Sequence, residues 1–388
     1  MKRRKLFAVL AVLAMVALSA CQPAPTPETV VQTVVVKETE VVKEEVEVEV
    51  EVTKEVEVVK EVEAETAFTI GYAAPSLVGG QVDIQEGVVR QAQAKGWQVI
   101  TTNANGDPQQ QNDDIDYFIS LGVDAIVTVP QDSAGICAAV ESATEAGIPF
   151  YTVDRSPIGC KINMTVLSDN RMAGQQAGQA MVDLLVDKYG EEKGKVLEIT
   201  GDLGQNVGVL RRDGFHDVLD QYENIEVITK PGDWDAAKGA DIVLDVASAN
   251  PDLDGIYMHS DACYTEGTQA TLEQLGKLHQ RGEEGHIFLT AVDGSPAGIR
   301  AIRAGWQDQS SNQPVPDFGR QVVEWIEKEQ INGETVEPGT VTQEGALWSP
   351  AEIIINDDGT PELFLSTTSV TEENTDHPGL WANQTLGG

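Results

Sequence analysis

The chain has 388 residues, of which 63 are acidic and 26 are lysine or arginine, so its formal net charge at pH 7 is -37. A surface this acidic repels phosphate backbones and anionic lipid headgroups, which argues against a nucleic-acid-binding protein. About 320 residues lie beyond the N-terminal segments described next, more than a single core usually spans, so two lobes are expected.

The first 21 residues carry the pattern of a secretory signal. Lys2 to Lys5 are basic, Leu6 to Ala17 is apolar, and Leu18 to Cys21 forms the cleavage site. Leu18 to Cys21 also resembles the lipobox of bacterial lipoproteins, in which the cysteine is lipidated after cleavage. We therefore expect an extracytoplasmic protein, anchored to a bacterial cell membrane only through the lipid on Cys21.

Residues 22–66 form a separate low-complexity segment. Three prolines near its start precede a long run of valine, glutamate and lysine without glycine or aromatic residues. Such a composition cannot bury two faces, and the glutamates repel one another, which predicts an extended stalk. A helical coiled coil is the alternative, although the alternation is closer to period 2 than to heptads.

From Phe68 onward, short apolar runs alternate with helical patterns, which predicts repeated βαβ units. The predicted strands are 68–74, 97–102, 124–130, 148–153, 195–200, 225–229, 254–259 and 286–292. The predicted helices are 80–95, 109–121, 133–146, 171–188, 206–221, 235–249 and 263–276. The predicted fold class is α/β, with two doubly wound parallel-sheet lobes, crossover hinges and a ligand cleft between the lobes.

The order of these elements also predicts the lobe boundaries. The first lobe is expected to comprise residues 67–169 and about 314–345. The second lobe is expected to comprise residues 170–313 and about 346–388. Residues 162–168 are predicted to be an extended connection between them.

Polar side chains follow most of the predicted strands. Asp154 and Arg155 come directly after the apolar run that ends at Val153. Ligands of open parallel α/β sheets lie outside the carboxyl ends of the strands, where an acid and a base can together bind one polar ligand. A structural ion pair that caps the strand is the alternative. Asp261, after another strand, is predicted to contact the ligand or to cap the following helix.

Seven short motifs occur in the order found in the ribose- and galactose-type sugar-binding proteins of bacterial ABC importers. The chain resembles this family, the type 1 periplasmic binding proteins, from about Phe68 to Trp381. The motifs are TVDRS at the end of the fourth strand, Ser168–Asn170, Asp213–Phe215, Pro231–Gly239, Ser260–Ala262, Val292–Gly298 and the C-terminal VTEENTD. The resemblance implies two lobes that close over a sugar and present it to a permease.

The resemblance also implies a set of binding residues. Asp154 and Arg155 match the pair that holds sugar hydroxyls, Ser260 lies where ribose binders place Asn, and Val129 also replaces an Asn. The stretch Val78–Gln81 departs from the family, because ribose binders carry Asn and two Phe there, so one aromatic wall is expected to be missing. The remaining matches are Arg211, Trp234, Asp293 and Gln313.

These side chains suit a neutral sugar or polyol. Carboxylates accept from hydroxyls, guanidinium groups and amides donate to them, and an aromatic ring covers the apolar C–H face. The resemblance implies a solute-binding protein that delivers its ligand to ABC permease subunits, and we expect a monomer without a cofactor, a metal or nucleic acid. Presentation of a sugar-like signal to a sensor is one alternative, and an exported carbohydrate-active enzyme, with His259 as its candidate base, is another.

Three cysteines remain besides Cys21. Cys137 and Cys160 each lie just past a predicted strand end, and an exported protein meets an oxidising compartment. We predict a disulfide between these two, and a pairing of either with Cys263 stays open. A loop of this size contributes about 3 kcal/mol in the chain-entropy model.

Overall fold

The computed structural model describes residues 67–385. The predicted signal segment, the lipidation site Cys21 and the predicted stalk lie outside the described residues. Among the helices of residues 67–385, none is long and apolar enough to cross a membrane.

The first part of the described chain alternates strands with helices, as predicted. Its elements are β1 (Thr69–Ala74), α1 (Gln81–Ala94), β2 (Gln98–Asn103), α2 (Pro108–Leu121), β3 (Ala125–Thr128), α3 (Cys137–Glu145), β4 (Phe150–Val153) and β5 (Met164–Ser168). The five strands are parallel and adjacent in the order β5-β4-β3-β1-β2. Residues 164–168 are therefore a strand of the first sheet, whereas the sequence predicted only a connection there.

The next part builds a second sheet. Its elements are α4 (Asn170–Tyr189), β6 (Gly194–Thr200), α5 (Asn206–Leu219), β7 (Ile225–Pro231), α6 (Ala236–Ala249), β8 (Gly255–Met258), α7 (Asp261–Gln274), β9 (Phe288–Asp293), α8 (Pro296–Arg303) and β10 (Gln309–Asn312). These strands are also parallel, in the order β10-β9-β8-β6-β7.

The C-terminal part contributes to both sheets. Its elements are α9 (Val315–Ile326), a π-helical turn (Glu327–Ile331), β11 (Gly339–Val341), β12 (Ala351–Ile355), β13 (Pro361–Leu365), β14 (Thr368–Val370) and α10 (Trp381–Thr385). Strands β11 to β13 extend the first sheet, with β13 parallel to β5. Strand β14 pairs with β10 at the edge of the second sheet.

This arrangement corrects the predicted lobe boundary. The assignment of residues from about 346 to the second lobe is wrong for β12 and β13, because their apolar side chains pack into the core of the first lobe. The residues concerned include Ala351, Ile353, Leu363 and Leu365, together with Trp348. The chain crosses between the sheets after β5, after β10 and after β13.

Each sheet has a core on both of its faces. Along β1, Ile70 and Tyr72 belong to one apolar cluster and Ala73 belongs to another, as the two-residue period of a strand requires. Leu197 and Val196 on β6 divide in the same way between two clusters of the second lobe. The α/β prediction with two doubly wound, mainly parallel sheets is confirmed.

Local sequence signals set the helix ends next to the sheets. Asp107 precedes α2, and its Oδ1 accepts hydrogen bonds from the backbone N–H groups of Gln109 (2.9 Å) and Gln110 (3.3 Å). Pro108 occupies the first turn, where its missing N–H costs nothing, and Gly122 ends the helix at a φ of 66°. Such caps hold the loops that follow the strands in place.

Cys137 and Cys160 form a disulfide, so the pairing predicted for them is the one that the structure contains. The bond joins the start of α3 to the loop between β4 and β5. It therefore ties down the segment that follows Asp154 and Arg155. Cys263 keeps a free thiol.

Candidate functional site

A cavity of about 510 Å³ lies between the carboxyl ends of the two sets of parallel strands. Its volume falls in the roughly 300–1,000 Å³ range of small-molecule sites. Both lobes belong to one compact unit, and both line the cavity. The predicted residues that line it are Asp154, Arg155, Arg211, Trp234, Ser260, Asp293 and Gln313.

The first-lobe wall is built around the end of β4. Asp154 has a positive φ of 65°, an uncommon conformation for a residue other than glycine. Its Oδ2 accepts a hydrogen bond from Gln81 Nε2 (3.1 Å) and lies 3.6 Å from Arg155 Nε. Arg155 Nη1 donates to the Pro130 carbonyl (3.1 Å), and burial lowers the pKa of this guanidinium. The buried acid and base are thus held side by side at the cavity.

The second-lobe wall is built around Arg211 on α5. Its Nη1 donates to the His259 carbonyl (2.6 Å) and to Asp293 Oδ1 (3.0 Å), and its Nε donates to Asn170 Oδ1 (2.8 Å). The other carboxylate oxygen of Asp293 accepts from Ser260 Oγ (2.5 Å). Burial raises the pKa of Asp293, although Arg211 opposes the shift. This cluster joins the ends of β8 and β9 to α5.

Trp234 supplies an aromatic surface to the same wall. It has a positive φ of 62° and lies in the loop between β7 and α6. Its indole lies over Gly201, where a β-carbon would come within 1.9 Å of ring carbons Cη2 and Cζ2. The ring Nε1 donates to Gln205 Oε1 (2.6 Å), and the Arg211 guanidinium lies 5.6 Å from the ring centroid. Gly201 therefore makes room for the ring.

Several buried polar atoms of the cavity lining have no hydrogen-bond partner in the described part of the chain. They are Gln81 Oε1, Arg155 Nε and Gln313 Oε1. Buried polar atoms are normally paired, because an unpaired one costs about 1–3 kcal/mol. Two free acceptors and one free donor at one cavity can be satisfied by a ligand that both donates and accepts, such as a polyol.

The lobes touch each other beside the cavity. Asn206, at the start of α5 in the second lobe, bonds to two residues of the first lobe. Its backbone N–H donates to Ser133 Oγ (3.2 Å), and its Oδ1 accepts from the Ser156 N–H (3.2 Å). Gln205 Nε2 donates to the Gln131 carbonyl (3.1 Å). The two lobes are therefore in contact across the cleft in this structure.

The structure does not place Asp261 at the cavity, where the sequence predicted a ligand contact. Asp261 is buried away from the cavity, and its carboxylate accepts from the backbone N–H groups of Gly294 (3.1 Å) and Ser295 (3.0 Å) and from Ser310 Oγ (2.6 Å). Burial raises its pKa, and the nearby Asp293 raises it further. Asp261 does not cap its helix either, because Ser260 Oγ accepts from the Cys263 N–H.

Sequence reasoning missed two residues of the lining in particular. Gln81 binds Asp154, and its place just after the first strand, at the same sheet edge, was the available signal. Trp381, on α10, also lines the cavity, beside Gly80 in the stretch where an aromatic wall was expected to be missing. No local pattern marks Trp381, since it lies outside the strand and helix repeats.

Two observations on the described residues bear on whether the cavity could support catalysis. Residues 67–385 contain no group of three or more metal-ligating side chains. His259, the candidate base, is fully buried: its Nδ1 accepts from the Gly201 N–H (3.1 Å) and its Nε2 donates to Glu198 Oε1 (2.9 Å), a tautomer assigned from these partners. Burial lowers the pKa of His259. Neither ring nitrogen is left to act on a ligand.

Comparison with known proteins places this geometry in a family. The model of the family described as periplasmic binding protein domain matches residues 70–335. The ribose import binding protein of Bacillus subtilis is 31% identical over 238 residues, which cover 61% of this chain and 73% of the relative. The D-allose-binding periplasmic protein of Escherichia coli is 25% identical over 248 residues, which cover 61% of this chain and 76% of the relative.

A solved structure shows the same arrangement. The ABC transporter solute-binding protein of Mycobacterium smegmatis with bound glycerol has a TM-score of 0.67 and is 26% identical. The match covers 80% of this chain and 96% of that one. The family match spans more than half of the sequence and agrees with the two-lobe fold and the cleft. This chain therefore belongs to the periplasmic binding protein family.

Proposed function

We propose that this protein is an extracytoplasmic solute-binding protein that captures a neutral sugar or polyol between its lobes and delivers it to an ABC permease. The observation that carries the proposal is the set of unpaired buried atoms at the cavity, Gln81 Oε1, Arg155 Nε and Gln313 Oε1. A hydroxyl group both donates and accepts, so a polyhydroxylated ligand can pair with all three.

The charges of the cavity support an uncharged ligand. Asp154 lies against Arg155, and Asp293 is bonded to Arg211, so each buried acid already has a basic partner. An anion or a cation would add an unbalanced charge among these buried side chains, which is costly. The relatives named above bind ribose and allose, and the solved neighbour holds glycerol, which are all uncharged.

Binding without catalysis is part of this proposal. The one histidine at a cavity-side strand end, His259, is occupied on both ring nitrogens by Gly201 and Glu198. A hydrolase acting on a glycoside would need one carboxyl group free to donate a proton and a second free to attack or to activate water. Asp293 is instead bonded to Arg211 and Ser260, which fits a carboxylate that grips hydroxyls.

We also propose that the protein works as a lipid-anchored monomer. The signal pattern and the Cys21 lipobox support an anchor, and the valine- and glutamate-rich residues 22–66 would separate the lobes from the membrane. Incorporation of labelled palmitate into the expressed chain, and its loss in Cys21→Ala, is the expected result. Labelling that persists in Cys21→Ala would refute lipidation at this residue.

The binding proposal is tested by calorimetry on the domain from residue 67. A panel of neutral pentoses, hexoses and polyols is compared with sugar phosphates and uronic acids, and each mixture is analysed for products. We expect saturable binding of one or more neutral members, weaker binding of their charged counterparts and no product. Binding of charged compounds alone, or turnover of any member, would contradict the proposal.

Delivery to a permease needs a cellular measurement. Cells that lack the protein should lose uptake of the ligand at low external concentration. Unchanged uptake, together with loss of a transcriptional response to that ligand, would favour presentation to a sensor instead.

A further inference from the structure

The C-terminal segment passes between the two lobes at the cavity. Leu380 and Ala382 are buried in an apolar cluster of the second lobe with Ile299, Ile302 and Val370. Trp381, between them, belongs instead to the main core cluster of the first lobe. Consecutive residues of one segment are thus anchored in different lobes.

The first-lobe contacts of Trp381 are specific. Its indole lies over Gly80, where a β-carbon would be 3.1 Å from Cη2, and its Nε1 donates to Asp83 Oδ2 (2.8 Å). Gly80 and Asp83 flank Gln81, whose amide binds Asp154. The indole therefore lies beside the side chain that positions the main first-lobe carboxylate.

The second-lobe contact comes from the backbone of the same residue. The Trp381 N–H donates to Asn312 Oδ1 (3.0 Å) at the end of β10. Together with the burial of Leu380 and Ala382, this bond fixes the segment to the second lobe. Trp381 reaches the first lobe from there, because the stretch from Val78 to Gln81 carries no aromatic ring and Gly80 leaves space for one.

We propose that Trp381 is a ligand-contacting residue that supplies the aromatic surface on the first-lobe side of the cavity, and that it makes this contact only when the lobes are closed. The inference rests on the proposed sugar or polyol ligand, whose C–H face an indole can cover. Because the backbone of Trp381 is held by one lobe and its ring by the other, separation of the lobes must break one set of these contacts. Ligand binding and closure are thereby coupled at one side chain.

The test compares Trp381→Ala and Trp381→Phe with the parent. Affinity is measured by calorimetry with a sugar or polyol that the parent binds, and folding is followed by the thermal unfolding midpoint of the ligand-free protein. We expect Trp381→Ala to bind at least about tenfold more weakly. We expect Trp381→Phe to stay within about threefold of the parent, since phenyl can still cover a C–H face.

Tryptophan fluorescence gives a readout that a purely structural role would not change. Part of the ligand-induced change in emission should disappear in Trp381→Phe while binding persists. The matched control is Trp325→Phe, which removes a buried indole of the same first-lobe core that does not line the cavity, and it should leave the ligand-induced change intact.

The outcomes separate the two proposals. A parent that binds no member of the panel refutes the proposed function and this inference with it. A parent that binds, with Trp381→Ala within twofold of it, refutes the inference alone. If Trp381→Ala does not fold, fluorescence decides: an undiminished ligand-induced change in Trp381→Phe overturns the proposal, and a diminished one supports it.

Discussion

Replacing Gly201 by alanine should remove the second-lobe aromatic surface without replacing any side chain that lines the cavity. The new β-carbon would lie 1.9 Å from Trp234 Cη2 and Cζ2 and 2.3 Å from Cε2, far inside van der Waals contact. Gly201 is buried directly after β6, and its N–H is bonded to His259 Nδ1, which opposes a shift of the backbone. Trp234 is half-buried and has to move instead.

The cost follows from what the displaced indole loses. Its hydrogen bond to Gln205 Oε1 is 2.6 Å long and contributes about 0.5–1.5 kcal/mol net to the stability of the free and the ligand-bound protein alike, so its loss does not by itself weaken binding. Loss of an aromatic face against the ligand costs about 0.5–1.5 kcal/mol of binding free energy. A loss of about 1 kcal/mol corresponds to roughly fivefold weaker binding.

Calorimetry with a neutral sugar that the parent binds measures this loss. Gly204→Ala is the matched control, since it lies in the same loop and the atom nearest to its β-carbon would be Asp202 Oδ1, at 3.2 Å. It should bind within about twofold of the parent, because nothing near the ligand moves. If Gly201→Ala also binds within twofold, Trp234 does not cover the ligand and the cavity wall described here is misassigned.

Three further outcomes are expected. Asp154→Ala should weaken ligand binding about tenfold to a hundredfold in calorimetry, because hydroxyl donors of the ligand lose a charged acceptor. Asp169→Ala, which lies outside the cavity, should leave binding unchanged. Binding by Asp154→Ala within twofold of the parent would place the pocket elsewhere. The hydrogen bond to buried Glu198 raises the pKa of His216 to about 9, so His216 stabilises the fold fully below its ordinary pKa of 6.5 and loses this effect as pH rises through 9. Urea unfolding should show the free energy of unfolding of the parent falling between pH 6.5 and about 9, and a flatter dependence on pH in His216→Gln. Identical pH profiles for the two proteins would refute the raised pKa of His216. Cys137→Ser should lower the free energy of unfolding by about 3 kcal/mol, and an unchanged urea midpoint would contradict the chain-entropy argument.

The sequence predicted the parallel strands well because both faces of each sheet are covered. Strand β4 is an unbroken buried run from Phe150 to Val153, as expected when helices pack on either side. Asp154 and Arg155 could be placed at the cavity for the same reason, since strand direction determines which sheet edge the following residues occupy.

The orientation of Asp261 could not be predicted in this way. Ser260 is extended, with φ of -148° and ψ of 116°, so adjacent side chains point in opposite directions. Ser260 lines the cavity, and Asp261 turns to the backbone of Gly294 and Ser295. Sequence gives the alternation but not which of the two neighbours faces the ligand.

Long-range pairing was the other source of error. The pattern of β12 and β13 is compatible with strands, but nothing local states that Leu363 pairs beside Val166 in the first sheet. Trp381 is a similar case, because its position at Gly80 depends on the route of the whole C-terminal segment. Such contacts are decided by how loops close over long separations and not by periodicity.

The place of β13 in the first sheet has a consequence for biogenesis. Ser156 and Glu362, joined by a hydrogen bond in this lobe, are separated by 206 positions, and β5 gains its neighbour only when residues 361–365 arrive. The five parallel strands of the second sheet, in contrast, all lie between Gly194 and Asn312. During synthesis the parallel strands of the second sheet are therefore all made before the first sheet is complete, and until residues 361–365 arrive one edge of β5 stays unpaired and open to association with other chains.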